Sequence, residues 1–456
     1  MLKLSVIASA TLVALGLSSV ADAGGRPDLV AKDLLLGKQY AAGQIVVQYH
    51  SYATAADKQR IKTKLSGTGV EAIAKRGGTL NLKGDIDLVK FTPGPTMQSK
   101  LDAIKNDASV DFAEPNWIVN HMVVSNDPYY TDGTLWGMYG ASTTPVNQFG
   151  SQAGTAWTAA SGADCSSVVV GVIDEGMMVN HPDLVGNVYK NPGDSTINGR
   201  DDDRNGLIDD VYGWDFVSND SSVFDGPADF HGTHVAGTIG ATGGNGIGVA
   251  GVCWKVKLMN AKFLGPRGGT SINGAKAIDY FTNLKLNGIP VVATNNSWGG
   301  GGYSQLQVDA IERAKAASIL FITAAGNGGY DNDTRPSYPS SYPNENIISV
   351  AALNSDGSMA DYSQWGLTSV DIGAPGTNVM STFPKNVKGK TIATYSYLSG
   401  TSMATPHVAG AAALYKARHP SATWSEIKAA ILNSATPTPS LDGKVVSGGR
   451  LNVSEF

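Results

Sequence analysis

The stretch Val168-Val169-Val170-Gly171-Val172-Ile173-Asp174-Glu175-Gly176 decides the fold. An unbroken apolar run of this length, rich in β-branched side chains, reads as a strand buried on both faces; a sheet wet on one side would alternate instead. Similar runs recur at 258–264, 289–294, 318–324 and 347–351, separated by helix-like stretches at 233–239, 271–286 and 306–316. That alternation predicts an α/β domain with a mostly parallel sheet between two helical layers. Functional groups in such sheets gather at the carboxyl ends of strands, so Asp174 stands where chemistry is expected.

The chain has 456 residues, enough for two domains, with 55 glycines and only 16% charged residues, a composition of compact, loop-rich proteins. A net charge of −5 leaves no basic footprint for nucleic acid. Lys3, an apolar run over 4–20 and Ala21-Asp22-Ala23 describe a secretory signal peptide over residues 1–23. A membrane anchor is the alternative, but the run is short for one and is followed by a cleavage site. The expected product is secreted and extracellular, with no membrane attachment after the leader is removed. Cys165 and Cys253 each precede a strand-like run, which leaves open one disulfide, if those strands are neighbours, or two buried thiols.

After a lead over 24–42, the elements become short: strand at 45–49, helix at 53–65, strands at 70–74 and 87–91, helix at 97–105, strand at 111–119. The order βαββαβ describes a small α+β ferredoxin-like unit. Carrying no clustered polar chemistry, it reads as a pro-domain rather than a permanent binding domain. The division expected is 1–23 signal peptide, 24–122 pro-peptide and 123–456 main domain.

Two further stretches carry reactive groups. His231-Gly232-Thr233-His234-Val235-Ala236-Gly237-Thr238 opens a helix with two histidines three apart. Zinc is disfavoured, because no acid lies on that turn and no His-Glu-x-x-His pattern is present. Gly400-Thr401-Ser402-Met403-Ala404-Thr405-Pro406-His407 places a serine before an apolar run. Proline is tolerated in a helix only in its first turn, so this helix should begin near Ser402 and put a hydroxyl beside unpaired N–H groups. A lone serine there would be a helix cap; Asp174 and His231 give it a carboxylate and a base. The chain order Asp, His, Ser differs from the Ser, acid, His order of α/β-hydrolases, and Ala404 stands where their Gly-x-Ser-x-Gly motif needs glycine. His181, His234, His407 and His419 have no acid partner visible in the sequence.

Over about 126–456 the chain resembles the subtilisin-like serine proteases. The resemblance rests on Val170 to Gly176, the His231 octet, Ala324-Ala325-Gly326-Asn327-Gly328, and Gly400 to Gly410. It implies a catalytic triad of Asp174, His231 and Ser402, with the Asn327 side chain and the Ser402 N–H stabilising an oxyanion. It also implies that Ser297, Trp298 and Gly299 with Ala325 and Gly326 bind the substrate backbone and wall the first specificity pocket. Ser337 would lie at the floor of that pocket. Gly328 stands where some members carry an acid, so a preference for a large apolar or aromatic residue before the cut is expected. Substrates would be polypeptides and the enzyme a monomer. In this family a βαββαβ unit assists folding and inhibits intramolecularly; cleavage near 120–125 would release it. A catalytically silent scaffold on the same fold is the alternative reading, and it would require a missing triad member.

Structural calcium is the expected cofactor. Asp201, Asp203, Asn205 and Asp210 place oxygens in a loop with glycine at its sixth position, although Tyr212 stands where an EF-hand has its bidentate glutamate. Resemblance to subtilisin and thermitase adds Asp127, Asp183, Asn245 and the carbonyls of Ile247 and Val249. It also adds Asp215 and Asp220 at a weaker site, where Ser218 replaces an acid.

Overall fold

The computed structural model describes residues 25–35, 40–76, 83–94, 96–118, 124–158 and 162–456, in two compact units divided between Asn120 and His121. The leader read at 1–23 and the junction at 119–123 lie outside the described residues.

The first unit runs α1 (Pro27–Leu35), β1 (Tyr40–Tyr49), α2 (Ala55–Lys64), β2 (Gly67–Ala74), β3 (Ile86–Phe91), α3 (Met97–Asp102) and β4 (Val110–Trp117). Its strands pair antiparallel in the order β2-β3-β1-β4, the ferredoxin-like arrangement expected. Thr54 and Asp57 form a capping box that starts α2. Ile45, Val47, Ile61, Val89 and Leu101 make up much of its small core.

The second unit opens with short helices α4 (Pro128–Thr131) and α5 (Ala153–Ala156), then β5 (Val169–Asp174), β6 (Gly213–Asp215), α6 (Phe230–Gly240) and β7 (Lys257–Lys262). It continues through α7 (Ser271–Leu286), β8 (Val291–Asn296), α8 (Gln305–Ala316), β9 (Leu320–Ala324), β10 (Ile347–Leu353) and β11 (Ile372–Pro375). The hairpin β12 (Val379–Val387) and β13 (Lys390–Leu398) leads into α9 (Thr401–Arg418), α10 (Trp424–Asn433), β14 (Thr436–Pro437) and β15 (Gly449–Arg450). The sheet order is β14-β15-β11-β10-β9-β8-β5-β7-β6, and every pairing is parallel except β14 with β15.

Strand β5 explains its own composition. Val170 and Val172 face a core shared with α6 and α9, whereas Val169 and Ile173 face a second core shared with α7 and α8. Both faces are covered, so Val169 to Ile173 carry no polar side chain, and the one polar group, Asp174, comes at the strand's end. Thr270 and Ser304 cap α7 and α8 through their side-chain oxygens, which fixes where each crossover turns back on the sheet.

Cys165 and Cys253 form a disulfide, with Cα atoms 6.0 Å apart, because β5 and β7 are parallel neighbours with Val169 opposite Lys257. Helix α9 begins at Thr401, close to the position expected, but Pro406 lies in its second turn rather than its first. The carbonyl that Pro406 cannot reach is that of Ser402, and the Ser297 hydroxyl donates to it at 2.9 Å. An outside donor thus replaces the missing rung, which is why the proline is tolerated.

Candidate active site

Asp174 ends β5 and is fully buried. Its Oδ1 accepts the Glu175 N–H at 2.7 Å and meets His231 Nδ1 at 2.8 Å. Helix α6 brings the histidine there because it approaches the turn after β5 closely: a methyl group on Gly232 would lie 2.6 Å from the Gly176 carbonyl oxygen. The N-terminus of α6 is fixed from two directions. Asp229, the residue before α6, is held by the buried Lys262 ammonium at 2.8 Å, and Glu175 Oε2 accepts the His231 N–H at 3.1 Å. Burial works to lower the His231 pKa, but the Asp174 charge and hydrogen bond, with the Glu175 charge, more than reverse it. The imidazole therefore protonates above its ordinary range. Bonding of Nδ1 to the carboxylate leaves Nε2 as the acceptor of a proton.

Ser402 is the second residue of α9, at its N-terminal end. Its Oγ donates to the Ser297 carbonyl at 3.0 Å while the Ser297 hydroxyl donates back to the Ser402 carbonyl. This reciprocal pair ties the segment after β8 to the first turn of α9. Asn327 follows β9, and its Oδ1 accepts both the N–H (2.9 Å) and the hydroxyl (3.0 Å) of Thr401. With Oδ1 engaged twice, Nδ2 is the end left to donate. A point bonded to the Gly400 Cα lies 3.5 Å from Asn327 Nδ2, 3.6 Å from Asn327 Oδ1 and 3.6 Å from the Ser402 nitrogen, so the amide lies beside the start of α9.

Beside them lies a cavity of about 180 Å³ lined by Trp298, Gly299, Gly326, Ser337, Gln364 and Ser402 among others, none of them charged. Trp298 stands edge-on to Phe263, with ring centroids 4.8 Å apart. Gly300 N donates to the Tyr338 carbonyl, and nothing lies within 4 Å above Gly300, Gly301 or Gly302. An extended chain has room to pair with that backbone. Ala325 is fully buried behind the wall, its N–H bonded to the Val350 carbonyl, so it supports rather than contacts the cavity. Gln364 and Tyr330 also line the cavity, and no sequence motif points to either.

His234 and His407 are buried and face main-chain carbonyls. His234 Nε2 lies 3.0 and 3.1 Å from the carbonyls of Val379 and Ser396, and His407 Nδ1 lies 2.9 Å from the Met403 carbonyl. Burial pushes their pKa values down to about 3 and about 4.

The residues assigned to calcium fall into three groups. Asp127 and Asp183 are both fully buried beside one loop. The Asp127 carboxylate accepts the N–H groups of Gly244, Asn245 and Gly246, and Asp183 accepts from Asn245 Nδ2 and the Val249 N–H. Burial raises the Asp183 pKa, with the Asp127 charge adding to it. No lysine or arginine among the described residues pairs with either acid, and the carbonyls of Ile247 and Val249 accept no hydrogen bond from them. Buried carboxylates with no counter-charge, beside free carbonyls, fit a hard cation, provided the Asn245 amide turns its oxygen inward. In the second group, Asn205 bonds Asp201, Asp203 and Asp210, and Tyr280 bonds Asp210. The buried Asp194, not anticipated from sequence, has an Oδ1 with no partner, and its pKa is raised by burial and by Asp202 and Asp203. In the third group, Asp215 and Asp220 pair through their backbones, while their carboxylates accept N–H groups of their own turns. Among the described residues, no three His, Cys, Asp or Glu side chains are gathered as a metal-binding group, so carbonyl and amide oxygens would complete any such site.

The Subtilase family profile matches residues 166–449, and that of the Fervidolysin N-terminal prodomain matches 29–116. A Subtilisin-like protease 1 of Plasmodium vivax is 35% identical over 303 residues, covering 62% of this chain and 46% of its own. The chain thus spans about half the length of that relative. A Thermophilic serine proteinase of Bacillus sp. (strain AK1) is 31% identical over 376 residues, 82% of this chain and 78% of its own. Among solved structures, a protease from Pseudoalteromonas arctica superposes with a TM-score of 0.58 at 30% identity, covering 73% of this chain and 98% of its own. With the profile spanning more than half of the chain, and Asp174, His231 and Ser402 falling within it, this protein belongs to the subtilase family.

Proposed function

We propose that the chain is a secreted serine endopeptidase, made as a zymogen, that hydrolyses peptide bonds through an acyl-enzyme on Ser402. The observation that carries this reading is the Asp174–His231 contact of 2.8 Å, made between a buried strand end and α6, a helix that shares one core with α9, where Ser402 lies in the first turn. On substrate binding the Ser402 hydroxyl leaves the Ser297 carbonyl and gives its proton to His231 Nε2 as Oγ attacks the peptide carbonyl. Asp174 orients the ring and stabilises its protonated form. Asn327 Nδ2 and the Ser402 N–H take the negative charge that forms on the carbonyl oxygen. His231 then delivers the proton to the departing amine, and water reverses the sequence.

The segment 297–302 would hold the substrate as an added strand, and the uncharged cavity supports a preference for a large apolar or aromatic residue before the cut. Peptides carrying Phe, Leu, Lys or Glu at that position measure this directly; a strong Lys preference rejects it. The first unit would act as inhibitor and folding aid, with cleavage near 120–125 releasing it. Calcium at the Asp127–Asp183 loop and the Asp201–Asp210 loop would stabilise the fold. Export through the leader at 1–23 agrees with the Cys165–Cys253 disulfide, which needs an oxidising compartment.

Labelling with a fluorophosphonate, followed by peptide mapping, tests the assignment. Modification at Ser402 is expected, and its absence in Ser402→Ala. Modification at another residue, or none, rejects the reading. The silent-scaffold alternative predicts no labelling at all.

A further inference from the structure

Besides Thr401, which bonds Asn327 and Gly326, one buried residue holds the turn that carries Asn327. Gln364 is 4% exposed, and its main-chain N–H donates to the Gly326 carbonyl at 2.9 Å. Its side-chain Oε1 accepts the Gly328 N–H at 3.2 Å. The residues before and after Asn327 are therefore both bonded to Gln364. The fit is tight: Gly326 has φ +114, and a methyl group there would fall 2.0 Å from Gln364 Oε1. Only glycine occupies that conformation without strain, and only glycine leaves space for the amide.

The amide is itself fixed. Gln364 Nε2 donates to Asn332 Oδ1 at 2.5 Å, and Asn332 Nδ2 donates to the Ala325 carbonyl at 2.9 Å and to Ser340 Oγ at 3.3 Å. Asn332 is 1% exposed. A closed path thus runs from Ala325 through Asn332 and Gln364 to Gly328, enclosing the turn that carries Asn327. Each donor and acceptor in it is paired, which gives a buried polar network its rigidity. An oxyanion donor works only if it is already in place when charge develops.

We propose that Gln364 is a positioning residue for catalysis, holding the Gly326–Asn327–Gly328 turn so that the Asn327 amide is preorganised toward the oxyanion. The assignment rests on the protease reading above. Gln364 acts through Asn327 and supplies no group to the reacting atoms.

The test is a double-mutant cycle on the mature enzyme with one peptide substrate, using Gln364→Ala, Asn327→Ala and the double variant. Gln364→Ala should lower kcat by about tenfold with KM within about twofold, a fraction of the roughly 10²–10³ that losing such a donor outright costs. In the Asn327→Ala background the same change should lower kcat by less than about twofold, because the group it positions is gone. A peptide boronic acid, which mimics the charged intermediate, should lose affinity in step with kcat. Multiplicative losses in the cycle, or an unchanged kcat, overturn the proposal. Should Gln364→Ala fail to fold, Gln364→Glu serves: it keeps the acceptor for Gly328 and loses the donor to Asn332, and the same non-additivity with Asn327→Ala is required of it. Fluorophosphonate labelling of the wild type separates the two readings. A labelled Ser402 with an additive cycle rejects only the role of Gln364, whereas an unlabelled wild type rejects the protease reading and this role with it.

Discussion

Glu175 Oε2 accepts the main-chain N–H of His231 at 3.1 Å, so the residue after Asp174 holds the backbone of the same histidine whose ring Asp174 holds. Helix α6 has no side-chain cap of its own, since Asp229 makes none, and Glu175 supplies that acceptor from another segment.

Removing the Glu175 charge separates its two effects. Glu175→Gln keeps an acceptor oxygen but removes one of the charges that hold the His231 pKa up. Asp174, Asp225, Asp229, Lys262 and His234 remain as the other charged or titrating groups near α6. The base must be neutral to act, so the acid limb of kcat/KM should move to lower pH in Glu175→Gln. Glu175→Ala should show the same shift and lose about 1 kcal/mol of stability with the cap. Identical pH profiles for wild type and Glu175→Gln would remove the electrostatic role.

Acid should weaken the fold through His234 and His407. Their folded pKa values, about 3 and about 4, lie below the ordinary 6.5, so the unfolded chain binds protons first. Their contribution is complete above about pH 6.5 and is lost as pH falls toward 4 and then 3. The raised pKa values of Asp183 and Asp210 act the other way. The informative measurement is therefore the slope of Tm against pH, which should be shallower between pH 6.5 and 4 in His407→Gln than in the wild type. Parallel slopes would rule the histidine out.

The Cys165–Cys253 bridge closes a loop across a sequence separation of 88. Replacing both cysteines by serine should cost about 2–4 kcal/mol, read as a lower Tm or denaturation midpoint, with kcat unchanged because the bridge lies at the amino end of β5. An unchanged Tm would show that the bridge contributes nothing to stability.

Chelation should lower Tm. A ligand bound only by the folded chain stabilises by about 2.7 kcal/mol at a hundredfold excess over its Kd. Asp183→Asn should reduce the response to added calcium by removing a buried carboxylate, and Asp210→Asn should reduce it independently. A melt insensitive to chelator ends the calcium proposal.

The sheet and the Asp174–His231 contact were readable because each obeys a local rule. Val169 to Ile173 had to be apolar on both sides, and Asp174, His231 and Ser402 each sit in a stretch whose glycines and small residues are forced by close packing. Hairpin β12–β13 obeys no such rule: Lys385 to Thr391 is exposed and, Val387 apart, without large apolar side chains, and its strands pair with each other rather than the main sheet. Gln364 escaped notice because its importance lies in the partners it meets 32 and 36 residues away. Asp194 escaped for the same reason, lying outside the Asp201–Asp210 loop whose charges it feels. Pro406 stands one turn deeper in α9 than proline's missing N–H alone predicts, since the sequence does not show that Ser297 serves the Ser402 carbonyl.

That carbonyl has a wider meaning. Pro406 lacks the N–H that would take the Ser402 carbonyl in the helix ladder, and the Ser297 hydroxyl takes it instead. The segment after β8 and the first turn of α9 are thereby clipped together through a gap in the helix ladder. The proline acts as a docking notch: its value lies in the hydrogen bond it declines to make.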